Sequence, residues 1–235
     1  MGEIQLKDLT PKSQKSRFGS AVVGEASRLD KMYRGKAPLE VLEGSARANV
    51  AHRAYVERLR KEADVDPLTG ALNRRAMQRE IREAMAEVDR KGGHIQIIFM
   101  DLRGFKQFND TYGHKVGDDA LRALVNGVRG HIRPYDTIGR WGGEEFILLL
   151  KSGEAELADR LSDRLHSTMR NLKAPYNQIK ADMGSADYHE SDSQTPADQL
   201  IHQADQAMYF AKKHNLHGVK HWDPSVASIV VPKKP

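Results

Sequence analysis

Apolar residues recur along this chain with two different periods, and each change of period marks an element. From Ser45 to Ala63, SARANVAHRAYVERLRKEA contains no Gly or Pro and many long charged residues, which predicts a helix. Ala48, Tyr55 and Glu62 share one heptad position and His52 and Leu59 another, a stripe that fits a solvated linker helix or a pairing one. Pro67 and Gly70 then mark a turn. From about Asn73 to Arg90, Met77, Ile81, Met85 and Val88 fall on one helical face. KGGH ends that helix, and IQIIFMD (95–101) is an apolar run of strand length closing on an aspartate. A short helical turn, a Gly-marked loop and a helix over about 117–131 follow. Strands near 137–141 and 146–151 flank Gly142-Gly143-Glu144-Glu145, where the Gly-Gly step predicts a tight two-residue hairpin loop with both glutamates at its tip. A helix over roughly 153–172, a strand at about 178–187 and a helix over 196–214, opened by Thr195-Pro196, complete the pattern. Alternating strands and helices around a central hairpin predict an α+β or α/β sandwich.

The ends differ from this middle. Residues 1–44 are rich in Lys, Arg, Ser, Gly and Pro without a sustained period, and are expected to be a disordered or loosely docked regulatory segment. The expected organisation is therefore that segment, a linker or dimerisation helix at 45–63, a catalytic domain at 64–224 and a tail at 225–235. At 235 residues, the chain can bury a sizeable core. A mean hydropathy of -0.63 and no apolar run near the ~20 residues of a membrane span predict a cytoplasmic protein without membrane insertion. The absence of cysteine excludes disulfides, thiol catalysis and Cys-ligated zinc. A net charge of +5 favours anionic partners such as nucleotides, nucleic acids or acidic lipids, and fits a generally basic surface equally well.

Three groups of residues carry candidate chemistry. Asp101 ends a strand, and Glu144 and Glu145 tip a hairpin of what is expected to be the same sheet. Carboxylates at neighbouring strand ends are the oxygen ligands Mg²⁺ takes, and the same spacing fits solvated loop acids. The loop FKQFNDTYGHKVGDD offers Lys106, Asn109, His114, Lys115 and Asp118 around two glycines. Lys can hold phosphate as a point charge, while Asn and Asp can read a base edge; a polar turn before the helix at 117 is the alternative. In RPYD, Arg133 and Asp136 present either a local ion pair or one donor and one acceptor to a ligand.

Several strings together resemble one family. WGGEEF is similar to the GGDEF signature in its GGEEF form. MDLRGFKQFNDTYGHKVGDDAL resembles the family's D-x-D-x-F-K-x-x-N-D-x-x-G-H-x-x-G-D-x-x-L block, DPLTGALNRR its opening, and ADQAMYFAKK its late A-D-x-A-L-Y-x-A-K. They occur in the family's order over about residues 64–222. The resemblance implies a bacterial diguanylate cyclase, a second-messenger enzyme condensing two GTP into cyclic di-GMP with release of two pyrophosphates. The implied fold is a five-stranded, palm-type, mostly antiparallel sheet wrapped by helices, an α+β class shared with nucleotidyl cyclases. It implies Mg²⁺ or Mn²⁺ held by Asp101, the Leu102 carbonyl and Glu144, with Glu144 also the base for the attacking 3′-hydroxyl and Glu145 beside it. Asn109 and Asp118 match guanine-reading positions, His114 a substrate contact, and Lys106 and Lys212 lysines facing phosphate. Arg133 and Asp136 match an R-x-x-D product-inhibition site. One GTP per domain implies a homodimer, with nucleic acid not a partner.

Two positions depart from the pattern. Arg103 stands where the second acid of D-x-D is expected. Strand alternation puts it on the side of Asp101, where it could pair with a carboxylate, touch phosphate or point away. HNLH replaces the family's continuation toward G-R-N, so Leu216 stands in place of a phosphate-binding Arg, with Lys213, His214 or Lys220 as substitutes. Two alternatives accompany the cyclase reading. A receptor binding cyclic di-GMP through Arg133 and Asp136 would not need Glu144 and Glu145. A relaxed cyclase making a mixed GMP–AMP dinucleotide is disfavoured by Asp118, whose carboxylate suits guanine N–H donors.

Overall fold

The computed structural model describes residues 17–33, 39–151 and 157–226. The chain divides into two compact units, Met1–Ala63 and Asp64–Pro235. In the first, helix α1 (Arg17–Tyr33) falls inside the segment whose sequence shows no sustained period. Helix α2 runs Leu39–Asp64, starting earlier than the expected 45 because Gly44 is carried within it. Ala26 and Leu29 of α1 bury against Ala46 of α2, with Val50 packed on them, while Ala48, His52 and Tyr55 are exposed. These three stripe positions are therefore not the face used for packing inside this unit; the side chains of Leu59 and Glu62 lie outside those described.

The second unit is built on one six-stranded sheet. Its strands are β1 (Leu72–Asn73), β2 (His94–Arg103), β3 (Thr137–Gly142), β4 (Glu145–Leu150), β5 (Lys180–His189) and β6 (Val219–His221), in the order β1-β3-β4-β2-β5-β6. The four long strands pair antiparallel, and the two short edge strands join parallel. This is the palm-type α+β arrangement, with one more strand than the expected five. Around it lie helices α3 (Arg74–Lys91), α4 (Phe105–Tyr112), α5 (His114–Arg129), α6 (Leu157–Arg170) and α7 (Ala197–Lys213). The side chain of Asn73 caps α3 by accepting from the Ala76 amide at 3.0 Å. Pro196 occupies the N-cap of α7, with no side-chain hydrogen bond there.

Alternation along β2 divides the core in two. Ile98, Met100 and Leu102 join Leu121, Leu124 and Val128 of α5 and Leu161 and Leu165 of α6. Ile95, Ile97 and Phe99 face the other way, onto Met77 and Ile81 of α3 and Leu200, Ala204 and Met208 of α7. β2 is thus buried on both faces, and that is why its sequence reads as a continuous apolar run. The parity of the strand sends Asp101 and Arg103 to the α3/α7 side.

Gly184 of β5 lies on that same side and sets the approach of α7. A Cβ there would fall 1.9 Å from the Met208 amide nitrogen, so only glycine permits this packing. Lys212 is four residues beyond Met208 and therefore shares its face of the helix. The close approach of α7 thus brings a lysine to the end of β2. Among the described residues no helix is long and apolar enough to cross a membrane.

Candidate active site

The C-terminal end of β2 gathers acids and cations from four elements. Asp101 is 3% exposed and accepts from Lys212 Nζ at 2.6 Å. In the sheet it faces Glu145 of β4 on one side and Asp182 of β5 on the other. The amide of Leu102 donates to the Glu144 carbonyl at 3.2 Å, which fastens the hairpin tip to β2.

The hairpin turns one residue later than the sequence predicts. Gly142 belongs to β3 and pairs with Glu145, so Gly143 and Glu144 form the turn. Gly143 carries the positive φ of 45° that the turn needs, and an irregularity between Arg140 and Gly142 absorbs the extra residue. Only Glu144 therefore sits at the tip, while Glu145 lies in the strand beside Asp101.

A second layer holds this turn. Arg140 donates from Nε to the Gly143 carbonyl at 2.9 Å and from Nη1 to both Asp66 oxygens, at 3.2 and 3.3 Å. Asp66 also accepts from the Thr69 amide at 2.9 Å and hydroxyl at 2.6 Å. Burial acts to raise the Asp66 carboxyl, but the Thr69 and Arg140 donors outweigh it and hold it below its ordinary value. The D-P-L-T-G string thus braces the turn, a role that neither Asp66 nor Arg140 shows by spacing.

The residues expected to read a base come together on α4 and α5. Gly113, with φ 85°, separates the two helices, and the Asn109 side chain lies against Gly117. A Cβ at 117 would fall 1.8 Å from Asn109 Oδ1, so glycine there makes the room. That oxygen is buried with no hydrogen-bond partner in the protein, an acceptor that a ligand N–H would satisfy. Asp118 is half-buried one residue further on, His114 is exposed at the start of α5, and Lys106 is exposed on α4.

Arg133 and Asp136 stand elsewhere. They form the turn before β3, whose six residues put about 20 Å between Asp136 and the hairpin tip at ~3.3 Å per residue. Asp136 Oδ2 accepts from the Arg133 amide at 3.0 Å and Oδ1 from the Lys151 amide at 2.9 Å. The Arg133 guanidinium instead lies over the Tyr135 ring, 5.9 Å from its centroid, and donates to its hydroxyl at 3.1 Å. Both residues line a surface cavity of about 480 Å³ with Arg129, Gly70 and Ile132.

The departing positions also find places. Arg103 binds Asp182 through Nε at 3.2 Å and through Nη2, and that carboxylate raises the guanidinium further above its ordinary value against the opposing effect of burial. His214 stacks on Phe210 at 4.3 Å and Lys220 pairs with Asp223 at 2.7 Å. Asp182 and Asn215, both partners of Arg103, are site neighbours that local sequence patterns do not reveal.

As for a metal, no three ligating His, Cys, Asp or Glu side chains converge among the described residues. The available donors are the Asp101 and Glu144 carboxylates and the Leu102 carbonyl. All are hard oxygens, and one or two carboxylates are what Mg²⁺ takes when substrate phosphates complete its shell. The donor set fits such an ion.

Comparison with known proteins points to one family. The sequence model of the family described as "Diguanylate cyclase, GGDEF domain" matches residues 63–217. Diguanylate cyclase DgcS of Shewanella oneidensis is 36% identical over 153 residues, 64% of this chain and 50% of that protein. Diguanylate cyclase DgcP of Pseudomonas aeruginosa is 31% identical over 167 residues, 69% of this chain and 24% of its own length. The chain therefore spans a quarter to a half of these curated relatives. Among solved structures, a microbial GGDEF domain described as interacting with cyclic di-GMP is 31% identical, with a TM-score of 0.62 over 69% of this chain and 99% of that one. The coiled coil and GGDEF domain of DgcB from Caulobacter crescentus, in complex with c-di-GMP, is 26% identical, with a TM-score of 0.62 over 78% of this chain and 98% of that one.

Proposed function

The chain belongs to the GGDEF family of diguanylate cyclase domains, and on that premise we propose that it condenses two GTP into cyclic di-GMP. The observation that carries this reading is the junction of buried Asp101 with the turn bearing Glu144, fastened by the Leu102 amide at 3.2 Å. In each half-reaction a 3′-hydroxyl oxygen of one GTP bonds to the α-phosphorus of the other, and the bond to the departing pyrophosphate breaks. Glu144, half-buried at the tip, accepts the hydroxyl proton. Asp101, the Leu102 carbonyl and Glu144 would hold Mg²⁺ or Mn²⁺, which lowers the hydroxyl's pKa and neutralises charge on the leaving group.

Lys212 is half exposed and bonded to Asp101, so it can share its charge between that carboxylate and incoming phosphate. Lys106 faces phosphate from α4, and His114 contacts the substrate from the start of α5. Asn109 Oδ1, the unpartnered acceptor, takes a guanine N–H, and Asp118 takes the others; a carboxylate suits guanine's donors. One site per domain requires two domains face to face. The exposed Ala48, His52 and Tyr55 stripe on α2 is the surface through which two chains would align. Product binding at Arg133 and Asp136, far from the tip, would restrain that encounter. A cytoplasmic setting suits both nucleotides.

Offering the protein GTP and ATP together with Mg²⁺ tests the assignment. Cyclic di-GMP as the sole cyclic dinucleotide is expected. A mixed GMP–AMP product would overturn the roles of Asn109 and Asp118, and binding of cyclic di-GMP without turnover would make the chain a receptor.

A further inference from the structure

The two departures from the family pattern meet in the fold. Arg103 follows Asp101 by two residues in β2, so both side chains leave the same face of the sheet. A guanidinium so placed could settle on the Asp101 carboxylate. It turns instead across to β5, giving Nε and Nη2 to the two oxygens of Asp182, and Nη1 to Asn215 Oδ1 at 3.3 Å. Asn215, in the left-handed conformation at φ 49°, is the second residue of the HNLH departure and directly precedes Leu216.

Asp182 is 1% exposed and is the register partner of Asp101. Two buried carboxylates facing each other across a strand pair repel, so each needs a cation. The cations are of unequal grip. Lys212 makes one bond to Asp101 from a half-exposed side chain, whereas Arg103 is held by two prongs on a fully buried carboxylate. Asp101 thus keeps the exchangeable partner.

We propose that Asp182 is a positioning residue: it holds Arg103 away from Asp101, leaving that carboxylate for a divalent cation. Through Arg103 and Asn215 it also ties the loop after α7 to the sheet, which fixes the reach of Lys212. The inference rests on the reading of Asp101 as a metal ligand. It explains how the site tolerates a cation at a position where an acid is expected: the charge is taken up by the neighbouring strand.

The test measures Mn²⁺ binding by electron paramagnetic resonance in the presence of a non-hydrolysable GTP analogue. Asp182→Asn releases the guanidinium, and Mn²⁺ affinity should fall by about tenfold or more, the usual consequence of losing an outer partner of a metal site. Adding Arg103→Met to that variant removes the freed cation, and affinity should return to within about threefold of the parent, because the two residues act as one unit. Thermal melts followed by circular dichroism establish that each variant is folded. If Asp182→Asn does not fold, Arg103→Lys carries the same test, since it keeps the charge but loses the two-pronged grip. Unchanged Mn²⁺ affinity in the folded single variant, or a double variant as weak as the single, would overturn the inference. A parent protein that binds no Mn²⁺ would overturn the functional reading and this inference with it.

Discussion

Asp101 and Asp136 are both buried acids at strand ends, and they are held in opposite ways. Asp101 is met by one lysine ammonium from a helix, on a side chain that is half exposed. Asp136 is met by two backbone amides, from residues 133 and 151. A side-chain ammonium can yield its place on the carboxylate to a metal ion; backbone amides cannot be exchanged without opening the fold. The first acid keeps an exchangeable partner, as its proposed role requires, whereas the second pins a turn, leaving Arg133 as the member of its pair that faces outward. Each Asp136 oxygen retains a lone pair for a ligand, but its removal is first a matter of stability.

The largest contrast should appear when both acids are neutralised. Asp101→Asn should lower product formation by about 100-fold or more, the scale of losing a preorganised charge at a developing anion. Its melting should stay within about 1 kcal/mol of the parent, because the half-exposed Lys212 can turn to water. Asp136→Ala should do the reverse, costing about 2 kcal/mol or more as two amides lose their acceptor. Its residual activity at low temperature should be near that of the parent. Kinetics and thermal melts on the same preparations check both, and a destabilised Asp101→Asn would break the distinction.

A smaller effect is expected at Arg133. Arg133→Ala should shift the product concentration giving half-inhibition upward by about tenfold, the scale of one charge-assisted hydrogen bond. Stability should move by no more than about 0.5 kcal/mol, as for other surface substitutions. An unchanged inhibition curve would remove Arg133 from the proposed product site.

The sequence made the strongly periodic elements legible, because packing against the sheet imposes the period that marks them. Helices α3, α5 and α7 and strands β2 and β5 fall within a few residues of their expected positions. β1 and β6, with two and three residues, are too short to carry a period. The hairpin tip shifted by one because the positive φ falls on Gly143 alone, a choice that two adjacent glycines leave open. At the site, the acids, the Asn109 loop and Lys212 stand in recognisable strings. Asp182 does not, because its partnership with Arg103 spans 79 residues and that of Arg103 with Asn215 spans 112. Arg140 likewise reaches Asp66 across 74 residues. Side-chain contacts across such separations leave no trace in local spacing, and these are the ones that brace the candidate site.

The most direct test incubates the protein at micromolar concentration with GTP and Mg²⁺, beside a Glu144→Ala variant, and follows nucleotides by chromatography. Cyclic di-GMP and pyrophosphate from the parent, with neither from the variant, is the predicted result. No product from the parent, or undiminished product from the variant, would contradict the account.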